Sequence, residues 1–317
     1  MSTRFDVVTV GRVSVDLYAQ EVGASFTDPQ TFTKSVGGSP TNVAVAAARY
    51  GHSSVVLTGV GADALGEYVC SRLRGWGVTT DYIAHVPGVL TPVVLAALDP
   101  PEDPTIVFYR GEAAPDTRIE RTAERDAIVR EARVFWMSQG ALAQGETARS
   151  SQAWLELRAR TPFTILDLDY RPTMWPDVET ARAAAQRAIA CSSVVVGNRD
   201  ECAMALGESE PDAAADALLA AGVSLAIVKM GGGGVLLATA GERVRVAPLS
   251  ISVLCGLGAG DAFGGALVHG LVAGWDLREL GEFANAAGAY VATKLTCADA
   301  MPTADQVAAL RTEGRTE

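Results

Sequence analysis

Short runs of apolar, often β-branched residues alternate along this chain with alanine-rich stretches of helical length, and that rhythm limits the fold more than any other feature. Segments 5–10, 54–58, 134–137, 164–168, 193–196 and 225–229 read as buried strands. Segments 41–50, 65–76, 147–160, 178–189, 212–221 and 262–273 read as helices. Strands that are apolar throughout need cover on both faces, so the alternation predicts an α/β fold with a mostly parallel central sheet between helices. No repeat and no linker long enough to mark a boundary interrupts it, and residues 1–317 are expected to form one domain.

Two stretches, about 12–36 and 90–112, read as strands without intervening helices, and the second carries the turn Pro100-Pro101-Glu102-Asp103-Pro104. They are expected to build a small β-sheet lid that projects from the main domain and covers a ligand. Ordinary surface hairpins are the alternative.

A formal net charge of −11 argues against nucleic acid as a partner, because nothing in the chain would neutralise a phosphate backbone. Apolar runs are too short or too interrupted for a membrane span, and the chain opens on polar residues rather than on a signal peptide. The five cysteines, Cys70, Cys191, Cys202, Cys255 and Cys297, are scattered and show no metal-ligand spacing. Free thiols in a reducing cytoplasm are the expectation.

Near the C-terminal end, Cys255-Gly256-Leu257-Gly258-Ala259-Gly260-Asp261 runs straight into an apolar helix. Small residues at a helix start expose consecutive backbone N–H groups that can cradle an anion, helped by the helix dipole. Asp261 is the one charge in that stretch, and an acid beside an anion site is unfavourable unless it has a task. Accepting the proton of a hydroxyl that attacks phosphorus is such a task.

Gly37-Gly38-Ser39-Pro40-Thr41-Asn42 precedes another helix and suits a polyhydroxy ligand, or else Thr41 or Asn42 simply caps the helix. Asp16 follows the first strand, where open α/β sheets bind ligands, and a solvated loop acid is the other reading. In Asp167-Leu168-Asp169-Tyr170-Arg171, alternation sends Asp167, Asp169 and Arg171 to one side, either to hold an anionic group or as an internal Arg–Asp pair. Asn198-Arg199-Asp200-Glu201 is nearly a helix capping box and could equally position Mg²⁺ and phosphates. Lys229, one of three lysines, stands before Gly231 to Gly234 at a strand end and reads as a phosphate-side cation or as part of a turn without a ligand. Neither glycine loop is a dinucleotide fingerprint or a Walker loop, and His52, His85 and His269 form no catalytic pattern.

Taken together, these segments resemble the ribokinase (PfkB) family of carbohydrate kinases over essentially the whole chain. Gly37-Gly38-Ser39-Pro40-Thr41-Asn42 and Gly258-Ala259-Gly260-Asp261 match the family's two signatures in order and separation. The resemblance implies a Rossmann-like α/β domain with a β lid that often mediates homodimers, and ATP with Mg²⁺ as phosphoryl donor. It implies Asp261 as catalytic base, with an ordinary carboxylate pKa, and the amides of Gly258, Ala259 and Gly260 as the anion hole. Asp16, Gly37, Gly38 and Asn42 would hold the sugar. Asn198 and Lys229 would approach phosphate, Glu201 would hold Mg²⁺ through water, and Gly231, Gly234, Gly256 and Asn285 would line the nucleotide pocket.

Within the family, phrases such as Phe108-Tyr109-Arg110, Asp167-Leu168-Asp169-Tyr170-Arg171-Pro172 and Asp299-Ala300-Met301-Pro302-Thr303 are similar to the 5-dehydro-2-deoxygluconokinase subfamily of inositol catabolism. The acceptor so implied is a sugar acid whose carboxylate Arg110 and Arg171 would grip, with Asp169 as a further substrate-side residue. 2-Keto-3-deoxygluconate kinase, fructokinase and a non-catalytic sugar-binding regulator are the alternatives. Two departures stand out. Glu112 follows Arg110 where the subfamily keeps a lysine nearby, and Cys255 replaces the Asp or Asn beside the family's monovalent-cation site, which speaks against K⁺ activation.

Overall fold

The computed structural model describes residues 4–111 and 113–313. Its main layer is a nine-stranded sheet, in spatial order Arg243–Val246, Val235–Ala238, Leu225–Lys229, Val194–Asn198, Thr164–Asp167, Val134–Ser138, Val7–Val10, Ser54–Leu57 and Val78–Thr79. Neighbours are parallel from Leu225–Lys229 to Val78–Thr79, and only the two strands at the other edge run antiparallel. The expected α/β fold is therefore present. The antiparallel pair at 235–246 escaped the sequence reading because two adjacent hairpin strands break the strand–helix alternation.

Alternate strand residues serve opposite sides of the sheet. Val7, Trp136, Ile165, Val194 and Ile227 pack into one buried cluster with Val43, Ala46, Ala262, Ala266 and Ala287. Val8, Phe135, Leu166, Val195 and Ala226 pack into the other with Ile128, Trp154, Ala184, Ala205 and Ala215. Expected helices occur within about three residues of their sequence bounds, for example Ser39–Arg49, Val178–Ile189 and Ala259–Ala273. Helices Ala123–Glu131, Arg199–Leu206, Leu277–Ala292 and Ala304–Glu313 complete the set. None of the described helices is long and apolar enough to cross a membrane.

The chain reverses its direction of sheet growth at Val7–Val10, which pairs with both Ser54–Leu57 and Val134–Ser138. Ligands of open α/β sheets bind beyond the C-terminal strand ends at such a switch point. Over that place lies a separate four-stranded sheet, Phe32–Gly37, Ser14–Ala19, Val93–Ala97 and Thr105–Tyr109, built from the two stretches that lacked helices. Its inner face carries Val94, Ala96, Ile106 and Phe108 toward a cavity, while Val107 and Tyr109 face outward. Glu112 lies outside the described residues.

Candidate active site

The ends of strands Val7–Val10, Thr164–Asp167, Val194–Asn198 and Leu225–Lys229 and the starts of helices Ser39–Arg49, Arg199–Leu206 and Ala259–Ala273 converge beneath the small sheet. Gly38 takes φ +101°, a conformation costly for any side chain, and a Cβ there would sit 2.4 Å from the Arg12 carbonyl oxygen. That turn starts the helix Ser39–Arg49 without a side-chain cap, so neither Thr41 nor Asn42 is spent on capping. Thr41 Oγ1 instead donates to the Arg12 carbonyl at 3.1 Å, and Asn42 Nδ2 donates to Asp261 Oδ2 at 2.7 Å.

Asp261 occupies the first turn of Ala259–Ala273, a helix that starts at Gly258. The first N–H groups of a helix have no partner within it and carry its positive pole. Lys229 Nζ lies only 3.4 Å from where a Cβ on Gly260 would stand, so an ammonium and open amides face the same space. Burial pushes the Asp261 carboxyl above the usual carboxylate range, Asp169 adds to the rise, and Asn42 opposes it. This corrects the expectation of an ordinary pKa: the side chain sits in a confined pocket beside other acids.

Asp16 is not a solvated loop acid. It lies in the strand Ser14–Ala19, buried, and accepts from Ser14 Oγ at 2.6 Å and Tyr18 Oη at 3.0 Å. Burial raises its carboxyl against those two donors. A Cβ on Gly37 would fall 1.9 Å from Asp16 Oδ2, which is why this strand ends in glycine.

Asp169 is held by two guanidinium groups, Arg12 Nη2 at 3.0 Å and Arg171 Nη2 at 3.1 Å. Burial alone would raise its carboxyl, but Arg171 and Arg12 outweigh that and hold it below the usual range. Asp167 ends its strand 3.7 Å from Lys229. Burial pushes this carboxyl up, Lys229 opposes, and Glu201 adds to the rise. Lys229 in turn stays charged, since Asp167 and Glu201 overcome the desolvation that would lower it.

Asn198 and Lys229 are cross-strand neighbours. Asn198 Oδ1 accepts from the Glu201 amide at 2.9 Å, and Glu201 Oε2 accepts from the Asn198 amide at 2.7 Å. The capping box is thus complete, and both residues also line the cavity with Asp261. The capping reading of this motif is met, and spending both residues on the cap leaves them at the cavity wall.

The cavity of about 250 Å³ gathers Asp16, Gly38, Asn42, Asp169, Arg171, Asn198, Glu201, Lys229, Gly256, Gly258, Gly260 and Asp261. Other candidates lie elsewhere. Arg110 donates to the buried Asp116 at 2.7 Å and lines a neighbouring cavity. Asn285 donates to the Ala247 carbonyl at 2.8 Å and lines neither cavity. Gly234 is explained by the sheet, since a Cβ there would meet the Val246 carbonyl oxygen at 2.0 Å. Gly231 opens a short turn in a surface cleft with Asn198 and Lys229.

A model of pfkB family carbohydrate kinases matches residues 4–304. The chain belongs to this family. It is 30% identical to 5-dehydro-2-deoxygluconokinase 1 of Bacillus cereus, over 96% of this chain and 94% of that one. Two solved structures share the fold. A candidate ribokinase II from E. coli, in complex with ATP and Mg²⁺, has a TM-score of 0.88 at 22% identity, covering 97% and 99% of the two chains. Fructokinase with bound ATP from Xylella fastidiosa has a TM-score of 0.84 at 24% identity, covering 98% and 99%.

Several residues that line this cavity were not among the candidate site residues of the sequence. Arg12, Tyr18 and Cys297 line the cavity, and Glu102 and Asp103 reach it from the tip of the small sheet. Arg12 sits between Gly11 and Val13 just past a strand end; the Tyr18 hydroxyl lies 2.8 Å from the Cys297 sulfur.

Proposed function

We propose that this chain transfers the γ-phosphoryl group of ATP to a primary hydroxyl of a sugar acid, 5-dehydro-2-deoxy-D-gluconate going to its 6-phosphate, a step of inositol catabolism. The observation that carries the transfer is the Asp261 carboxylate, held by Asn42 at a helix start whose amides share their space with Lys229. Asp261 accepts the hydroxyl proton as the oxygen–phosphorus bond forms and the bond to ADP breaks. The amides of Gly258, Ala259 and Gly260 offset charge on the transferring group. Asp16, Gly38 and Asn42 hold the acceptor, with Gly37 leaving room for the Asp16 carboxylate, and the small sheet acts as a lid that excludes water.

Asn198, Lys229, Gly231 and Gly256 lie on the nucleotide side; Gly234 and Asn285 are placed there by the family resemblance alone. The donor set fits Mg²⁺, which keeps most of its waters and takes few protein oxygens. Asp167 Oδ1 is buried without a hydrogen-bond partner, and Glu201 is a neighbouring carboxylate. These two would hold the ion through water, and it would supply neutralisation of phosphate charge. Cys255 is buried and its side chain offers a soft sulfur in place of a hard oxygen ligand, so turnover is expected to be independent of K⁺.

The sugar-acid reading draws on the Bacillus relative and on Arg171, whose Nε is buried without a partner at the cavity wall. Against it stands the pairing of both arginines: Asp169, shared with Arg12, already takes Arg171, and Asp116 takes and neutralises Arg110. That observation favours a second reading, a neutral hexose acceptor such as fructose. ADP release with 5-dehydro-2-deoxygluconate, 2-keto-3-deoxygluconate and fructose separates them. A response to fructose alone would replace the acid by the neutral sugar.

The outer edge strand Thr105–Tyr109 exposes Val107 and Tyr109, and a homodimer through the lids would cover them. Sedimentation of the wild type and Tyr109→Glu, the variant alone monomeric, is the expected result. The described cysteines are all free, which suits a cytoplasmic setting.

A further inference from the structure

Ser14, Asp16 and Tyr18 are alternate residues of one strand of the small sheet, so their side chains share a face, and all three line the cavity with Cys297. Asp16 Oδ1 accepts from Ser14 Oγ and Oδ2 accepts from Tyr18 Oη, which leaves each oxygen room for one more donor. Tyr18 has a second neighbour. Its Oη lies 2.8 Å from Cys297 Sγ, in the segment that follows the helix Leu277–Ala292. A phenol carries one proton, and an ionised carboxylate can only accept. The phenol proton therefore goes to Asp16, and the thiol donates to the phenol oxygen. Both groups keep the proton they give: burial holds the Tyr18 hydroxyl and the Cys297 thiol well above their ordinary values, and Asp16 adds to each rise.

The other side of the sulfur meets the glycine loop. Cys297 Sγ lies 2.5 Å from where a Cβ on Gly258 would stand, so it rests on the turn that opens the Asp261 helix. Ser14 holds Oδ1 from within the strand, whereas the link through Tyr18 to Cys297 ties Oδ2 to the main body. Tyr18 is fully buried, so it reaches a ligand through Asp16 rather than by touching it.

We propose that Tyr18 and Cys297 are positioning residues for phosphoryl transfer, a thiol-to-phenol-to-carboxylate chain that fixes the acceptor-holding oxygens of Asp16 relative to the helix start carrying Asp261. Position 297 then requires a hydrogen-bond donor, and a small one, because Gly258 leaves no room for a larger side chain. This inference rests on the reading of Asp16 as the holder of the acceptor.

Kinetic constants are measured for wild type, Tyr18→Phe, Cys297→Ala and Cys297→Ser with ATP. The acceptor is whichever of 5-dehydro-2-deoxygluconate, 2-keto-3-deoxygluconate and fructose the wild type turns over. Tyr18→Phe is expected to raise the acceptor KM about tenfold, the loss of one hydrogen bond to a charged group. The KM for ATP and kcat should stay within about twofold, the pattern of a lost binding contact. Cys297→Ala is expected to raise the acceptor KM about fivefold, and Cys297→Ser, which keeps a donor, to return it to within about twofold of wild type. An unchanged acceptor KM in Tyr18→Phe, or an equal rise in both KM values, would overturn the positioning role and leave the kinase reading intact. So would a Cys297→Ser variant no better than Cys297→Ala. A wild type that turns over none of the acceptors would remove the chain's role together with the proposed reaction.

Discussion

Asn42 Nδ2 stands 2.7 Å from Asp261 Oδ2, joining the first turns of two helices that lie 219 residues apart in the chain. The amide holds the carboxylate in place without a counter-charge, so Asp261 keeps the basicity its proposed role needs. Replacing Asp261 by Asn should lower kcat by a factor on the order of 10²–10⁴, the usual worth of a general base. ATP affinity, read by calorimetry, should change little. Near-normal turnover would remove Asp261 from the role.

Burial and Asp169 raise the Asp261 carboxyl, and a base works only when unprotonated. Activity should therefore rise with pH through that raised value, which gives kcat/KM an acid limb above the ordinary carboxylate range. Asp169→Asn removes the like charge and leaves Arg12 and Arg171 uncompensated. Both effects favour the Asp261 carboxylate, so the limb should move to lower pH. A limb that stays put would show that another group controls it.

At Gly37 an added Cβ would overlap the Asp16 carboxylate. Gly37→Ala should raise the acceptor KM about tenfold or more by turning Asp16 away, a loss comparable to one charged hydrogen bond. The KM for ATP should stay near wild type. Equal changes in both constants would point to general damage of the fold.

The tip of the small sheet rests on the glycine loop: Gly256 N–H donates to the Pro101 carbonyl at 2.8 Å, and a Cβ on Gly256 would meet the Glu102 carbonyl oxygen at 2.1 Å. Gly256→Ala should lift the tip and let water in. We expect ATP hydrolysis without acceptor to increase relative to transfer, measured as ADP released against sugar phosphate formed. An unchanged ratio would mean that the tip does not seal the site.

Far from the cavity, His52 Nε2 and His269 Nδ1 share a hydrogen bond of 2.9 Å that at least one ring must accept as neutral imidazole. Burial lowers both pKa values, and for His52 the neighbouring His269 adds to the fall. The unfolded chain then binds more protons than the folded one below about pH 6.5, the ordinary histidine value. Stability should be full above that value and decline as pH falls through the lower folded values. Thermal melts of wild type and His269→Phe should converge as acid is added. A constant gap between them would discard the pair as the source.

Much of the fold was legible because the sheet interior is apolar throughout. Strand Leu225–Lys229 and helix Val178–Ile189 fall where their residue patterns place them. Helix Ala123–Glu131 was hidden by its exposed, charged face, with only Ile128 and Val129 buried. At the site, the loops before Asn42 and Asp261 announced themselves through glycine, because close backbone approaches leave few other residues to choose from.

What the order of residues determined alone was the layered architecture, the two glycine loops and the acid at the start of the last long apolar helix. Partnership was decided by the tertiary structure. Arg12 looked ordinary until folding brought it to Asp169, 157 residues away. Local pattern follows from periodicity within a few residues, whereas a buried charge takes its partner from whatever distant chain arrives beside it. The cost of desolvation then makes that pairing compulsory.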